Sequence, residues 1–153
     1  MNLWTILGRL ALAFLLGGVI GWEREYEEKP AGLRTFILVC VGAALFVLTV
    51  LETVNQTQGV TPVGPIRVDP VRIISSIAQG IGFLGAGTIL VSRGSVLGLT
   101  TAAAIWATSA VGVASGLGLW RIALVGTILT FIALRVLGPL TPRIVQHENG
   151  ESS

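Results

Sequence analysis

Apolar residues fill positions 3–21 with only Thr5 and Arg9 interrupting, a run that as a helix reaches about 28 Å, close to one bilayer's hydrocarbon thickness. Further apolar runs cover 36–51, 69–91, 99–116 and 119–137. The pattern predicts an all-α integral membrane bundle of about five transmembrane helices, occupying residues 1–142 as one domain. A polar tail, 143–153, is expected to be disordered. The rival reading of the first run is a signal peptide, but no basic residue precedes it and no small-residue cleavage site follows.

Between the first two runs, residues 22–35 mix Glu23, Glu25, Glu27 and Glu28 with Arg24, Lys29 and Arg34. This segment reads as an interfacial loop, with Trp22 and Tyr26 suited to headgroup level. Glu52 ends the second span, and residues 53–68 read as an exposed loop in which Asn55-Gln56-Thr57 is a weak glycosylation match. Asp69-Pro70 has helix-start chemistry: Asp69 accepts from free amides of the first turn and Pro70 needs no amide hydrogen. That helix is expected to run to about Val91, with Ser92-Arg93-Gly94-Ser95 as a short turn.

Composition supports the membrane reading. Hydrophobic residues make up 52%, charged residues only 12%, and the mean hydropathy is +0.82. A net charge of +2 with no run of Lys or Arg leaves the lipid bilayer, and not nucleic acid, as the expected environment. Arg24, Lys29, Arg34, Arg93, Arg135 and Arg143 fall on one side of a five-span chain, and Arg67, Arg72 and Arg121 on the other. The first side is expected to be cytoplasmic, with the N-terminus outside and the tail inside. Cys40, the sole cysteine, precludes an intrachain disulfide and reads as a packing residue.

Small residues suggest how the helices meet. Gly80-x-Gly82-x-x-Gly85 matches the dinucleotide-binding pattern, but the strand and the soluble α/β unit that pattern needs are lacking. Arg9, Ala13, Gly17 and Gly21 recur at four-residue steps, as do Ala78, Gly82 and Ala86, and again Thr100, Ala104, Thr108, Gly112 and Gly116. These stripes predict that the first, third and fourth helices form a close-packed trio. Glycines that break a helix along an ion path are the alternative. Arg72, Ser76 and Gln79 add a polar stripe to the third helix. Two ion-pair clusters are expected: Arg9, Glu52, Asp69 and Arg72 at one end, and Glu23, Arg24, Glu25 and Arg34 at the other. Arg9 either joins such a pair or snorkels outward.

Gly21-Trp22-Glu23-Arg24-Glu25, Ala31-Gly32-Leu33-Arg34-Thr35, Gly42-Ala43-Ala44-Leu45-Phe46, Asp69-Pro70-x-Arg72, Gly80 to Gly87 and Gly98-Leu99-Thr100-Thr101-Ala102-Ala103 together resemble the MgtC/SapB family. The resemblance implies a multi-pass bacterial inner-membrane protein linked to adaptation to low magnesium and, in pathogens, to survival inside host cells. It places the family's charged positions on Glu23, Arg24, Glu25, Arg34, Asp69 and Arg72. Its glycines fall on Gly80, Gly82, Gly85 and Gly87, followed by Thr100, Thr101 and Trp106, all read as helix-packing positions. Many members carry a cytoplasmic C-terminal domain, whereas this chain stops soon after Arg143, so functions needing that domain are not expected of it.

Two functions compete at this point. One is a non-enzymatic regulator that associates with a second copy of itself or with other membrane proteins. The other is a subunit of a homo-oligomeric transporter or channel for Mg2+ or another cation, with Glu23, Glu25 and Asp69 as candidate ligands. No cofactor other than Mg2+ itself is called for. An enzyme is not expected, since His147 is the sole histidine and no nucleophile-base pair is apparent.

Overall fold

Five helices and one short hairpin make up the computed structural model, which describes residues 1–57, 69–92 and 95–137. In chain order they are α1 (Leu3–Tyr26), α2 (Leu33–Thr57), α3 (Pro70–Ala86), β1 (Leu90–Ser92), β2 (Ser95–Leu97), α4 (Leu99–Leu117) and α5 (Trp120–Arg135). The tail expected over 143–153 lies outside the described residues. Asn2 caps α1 by accepting from the Trp4 amide, and Asp69 caps α3 by accepting from the Val71 amide. Gly118, at φ +80°, closes α4 in the left-handed conformation that a residue with a Cβ adopts only at a cost.

α2 lies at the centre, packed on α1 along one side and on α4 along another, while α5 covers α4 and α1. Glycine makes both central contacts close. A Cβ on Gly17 would come within 2.7 Å of the Cys40 Cβ, and one on Gly21 within 2.8 Å of the Leu33 Cα. From the other side, Gly112 abuts the Cys40 carbonyl and Gly116 the Ala44 carbonyl, where a Cβ would come within 2.8 Å. Cys40 is therefore held between two helices at two glycines, and Phe36, Ile20 and Ala44 close the core around it. Among membrane helices, such small-residue contacts gain dispersion energy by letting backbones approach.

The close-packed trio is α1, α2 and α4, which corrects the expectation of α1, α3 and α4. The stripes on α1 and α4 pack as expected, but both meet α2. α3 rests on α4 and barely touches α2. Gly80 and Gly82 face open space, Gly85 meets α4 at Ala102 (3.4 Å), and the Gly87 position contacts only carbonyls of its own last turn. Of the other expected packing positions, Thr101 is buried, while Thr100 and Trp106 are exposed. The reason is geometric: α4 turns its Gly112 and Gly116 face toward α2, so Trp106 points away from the core.

Element bounds differ from the sequence expectation in three places. α1 continues to Tyr26, which carries Glu23 and Arg24 out of the expected loop and into a helix. α2 starts at Leu33 and extends through Thr57, so residues 53–57 are helical and residues 58–68 lie outside the described residues. α3 stops at Ala86, where the Thr88 hydroxyl and amide both bond to the Gly85 carbonyl. The residues that follow form a hairpin pairing Leu90 with Leu97, Val91 with Val96 and Ser92 with Ser95, with the β-branched valines at its middle. Gly98, at φ +86°, then fits against the Thr88 carbonyl and turns the chain into α4.

α1, α2 and α4 are each long and apolar enough to cross a membrane. α3 and α5 have 17 and 16 helical residues, or about 25 Å, near the lower limit for a span.

Candidate functional site

Successive helices run in opposite directions and place the charges at the two ends of the bundle. At the first end the N-terminal amine pairs with Glu52 (2.7 Å). Arg9 Nη1 donates to the Gly116 carbonyl (2.8 Å), and its guanidinium packs against Gly118. A cation thus meets the negative end of the α4 dipole and occupies a carbonyl that the helix leaves unsatisfied. Arg9 points inward, to a backbone acceptor, and so takes neither of its two alternatives, a carboxylate partner or an outward course. Asp69 and Arg72 start α3 at this same end, where Asp69 accepts from the Val71 amide (2.9 Å) and Arg72 has no partner among the described residues. The expected cluster of Arg9, Glu52, Asp69 and Arg72 does not form, because three of the four engage backbone or terminal groups instead.

At the second end Glu23 and Arg24 form a two-pronged ion pair, with Arg24 Nε on one carboxylate oxygen and Nη2 on the other. Both side chains are buried, at 4% and 3% relative exposure. The bidentate geometry satisfies the carboxylate with the one side chain whose fork matches it. Burial at this position costs desolvation that the pair offsets only while both partners remain. Glu25 turns the other way and accepts from the Leu33 amide (2.9 Å), so it caps α2 across the connection, and Gly32 leaves room for its carboxylate. Arg34 is exposed and outside this pair. Glu27 pairs with Arg135 of α5, whose guanidinium lies 5.4 Å from the Tyr26 ring centre.

Two of these contacts had a trace in the sequence. Gly118 just past α4 is a C-cap signal, and the place of Arg9 on the small-residue face of α1 made an inward contact one of its two alternatives. The pairing of Glu27 with Arg135 needs the fold.

A groove of about 910 Å³ runs between α2 and α3. Leu38, Gly42 and Phe46 form part of its α2 wall, and Ile77, Gly80 and Ile81 part of the α3 wall. Asp69, Arg72 and Ser76 give it one polar end. Metal candidates Glu23, Glu25 and Asp69 are not brought together, since Asp69 lies at the opposite end of the bundle from the other two. Among the described residues, no three His, Cys, Asp or Glu side chains stand close enough to share a cation.

The family model for the MgtC family matches residues 10–143, nearly the whole helical chain. The chain belongs to the MgtC family. Among MgtC-family relatives, it is 40% identical over 137 residues to a protein of Escherichia coli K12 named "Putative magnesium transporter YhiD", an alignment covering 90% of this chain and 62% of that protein. It is 44% identical over 134 residues to protein SrpB of Synechococcus elongatus, covering 82% and 71% respectively. It is 39% identical over 146 residues to protein MgtC of Salmonella typhimurium LT2, covering 95% and 58%. The chain therefore spans about three fifths of the length of the Escherichia and Salmonella relatives. No solved structure matches it. As a member of the MgtC family with three long apolar helices, it is a membrane protein.

Proposed function

We propose that this MgtC-family protein is a non-enzymatic inner-membrane regulator that serves adaptation to limiting magnesium by associating with itself or with another membrane protein. In this reading the N-terminus is outside and the second end of the bundle, bearing Glu23, Arg24 and Arg34, faces the cytoplasm. The magnesium link comes from the family and from the name of the Escherichia relative.

The observation that carries the regulatory reading is how the carboxylates are used. Magnesium takes octahedral oxygen coordination and is held by one or two carboxylates in a hydrated pocket. Both oxygens of Glu23 are on Arg24, Glu25 holds the α2 N-terminus, Glu27 holds α5 through Arg135, Glu52 holds the chain's first residue, and Asp69 starts α3. This donor set fits a scaffold for the bundle better than an ion path. α3 leaves a face without neighbours among the described residues, which suits association.

The test uses a bacterial strain lacking its own MgtC-family proteins, grown in limiting magnesium. Expression of the chain is expected to restore growth with total cell magnesium unchanged. Cell magnesium rising in proportion to the amount of chain would contradict the regulatory reading.

A further inference from the structure

The exposed face of α3 carries a polar stripe that no contact among the described residues absorbs. Arg72, Ser75, Ser76, Gln79 and Gly80 follow helical spacing, and all are exposed. The Ser76 hydroxyl bonds back to the Arg72 carbonyl, but Ser75, Gln79 and the Arg72 guanidinium have no partner among the described residues. Gln79 lies nine residues into α3, about 14 Å along the axis, which in the five-span reading of the chain is close to the middle of the hydrocarbon. A primary amide at that depth finds no water, so the favourable arrangement gives it a polar partner from another helix.

We infer that this face of α3 is the contact surface of a homodimer, in which two copies of α3 lie side by side about a two-fold axis along the membrane normal. The chemistry of the stripe is self-complementary. An amide donates and accepts, so Gln79 can exchange two hydrogen bonds with the same residue of a second copy across the axis. Asp69 uses one carboxylate oxygen on its own helix, leaving the other for Arg72 of the partner subunit, and symmetry makes that pairing reciprocal. Gly80, one turn beyond Ser76 on the same face and with open space where a Cβ would be, allows the two backbones to approach. The α2–α3 groove borders the same face and receives the flank of the second α3. This inference rests on the reading of the chain as an associating membrane protein and adds the surface and the occupant.

Single cysteines at Ser75 or Phe83, which is 82% exposed, test it by oxidative cross-linking in native membranes. Ile128→Cys, on the outer face of α5 at 56% exposure, is the comparison, and native Cys40 is buried and stays silent. Ser75→Cys and Phe83→Cys are expected to give a species of twice the 16.0-kDa chain mass, at least tenfold more abundantly than Ile128→Cys. In the Phe83→Cys background, Gln79→Leu and Asp69→Asn, the latter keeping the helix cap, are each expected to lower that yield several-fold. No dimer at either α3 position, equal yields at all three positions, cross-links only to heavier foreign proteins, or an unchanged yield with either second substitution would overturn the inference. Cross-linking reads contact alone, so its failure is separable from failure of the magnesium-growth test.

Discussion

The Arg9 guanidinium, one turn and a half into α1, donates to the Gly116 carbonyl at the end of α4, 2.8 Å away and 107 positions along the chain. It ties the first helix to the fourth at a carbonyl of the last turn that the backbone cap leaves open, since the Gly118 and Leu119 amides bond to Ser115 and Ala114. Arg9→Met is expected to lower stability by about 2 kcal/mol, the scale of a charge-assisted hydrogen bond at a helix end. Thermal unfolding in mild detergent measures this, and Arg9→Lys should recover part of the loss. Gly118→Ala should destabilise by a similar route, since a Cβ at φ +80° would come within 2.8 Å of the same guanidinium.

Glu23 and Arg24 are expected to behave as a unit. Arg24→Ala leaves a buried carboxylate without its partner and should cost about 3–5 kcal/mol, or prevent folding. Replacing both with leucine should cost less than either single change, because no charge is then stranded. Comparing the unfolding midpoints of the two singles and the double measures the coupling.

Glycines along the chain divide into those that touch backbone and those that do not. Gly112→Ala would place a Cβ against the Cys40 carbonyl and is expected to destabilise by at least 1–3 kcal/mol, the overpacking range. Gly8→Ala and Gly42→Ala meet nothing within 4 Å and should leave stability unchanged or raise it by up to about 1 kcal/mol through helix propensity. Unfolding midpoints in one detergent separate the two classes.

Cys40 is fully buried between α1 and α4. A membrane-permeant maleimide is expected to label it only after denaturation. With Cys40 replaced by Ala, Gln56→Cys near the end of α2 reports sidedness, and the proposed topology expects labelling by an impermeant reagent in intact cells. Protection of that site would reverse the assignment.

The apolar runs made the five helices legible in the sequence, because a bilayer demands one long helical span at a time. Asp69-Pro70 marked the start of α3 correctly, since capping is local chemistry. The hairpin was hidden because Ile89, Leu90 and Val91 continue the apolar run of α3 without a break, so the strand reads as the helix's last turn. Burial of Glu23 and Arg24 was hidden for a related reason: α1 outruns its apolar stretch, and adjacent opposite charges read as interfacial until a helix carries both inward. The small-residue stripes on α1 and α4 were visible, but their meeting place was not. Its centre, Cys40 to Ala44, shows in the sequence only a modest run of small residues.

In the proposed function the carboxylates hold the bundle and the protein acts by association. Mg2+ flux into liposomes containing the purified full chain tests it most directly, with the Asp69→Asn variant beside it. Flux no greater than in protein-free liposomes is expected for both; robust uptake by the natural chain that the variant abolishes would contradict that function.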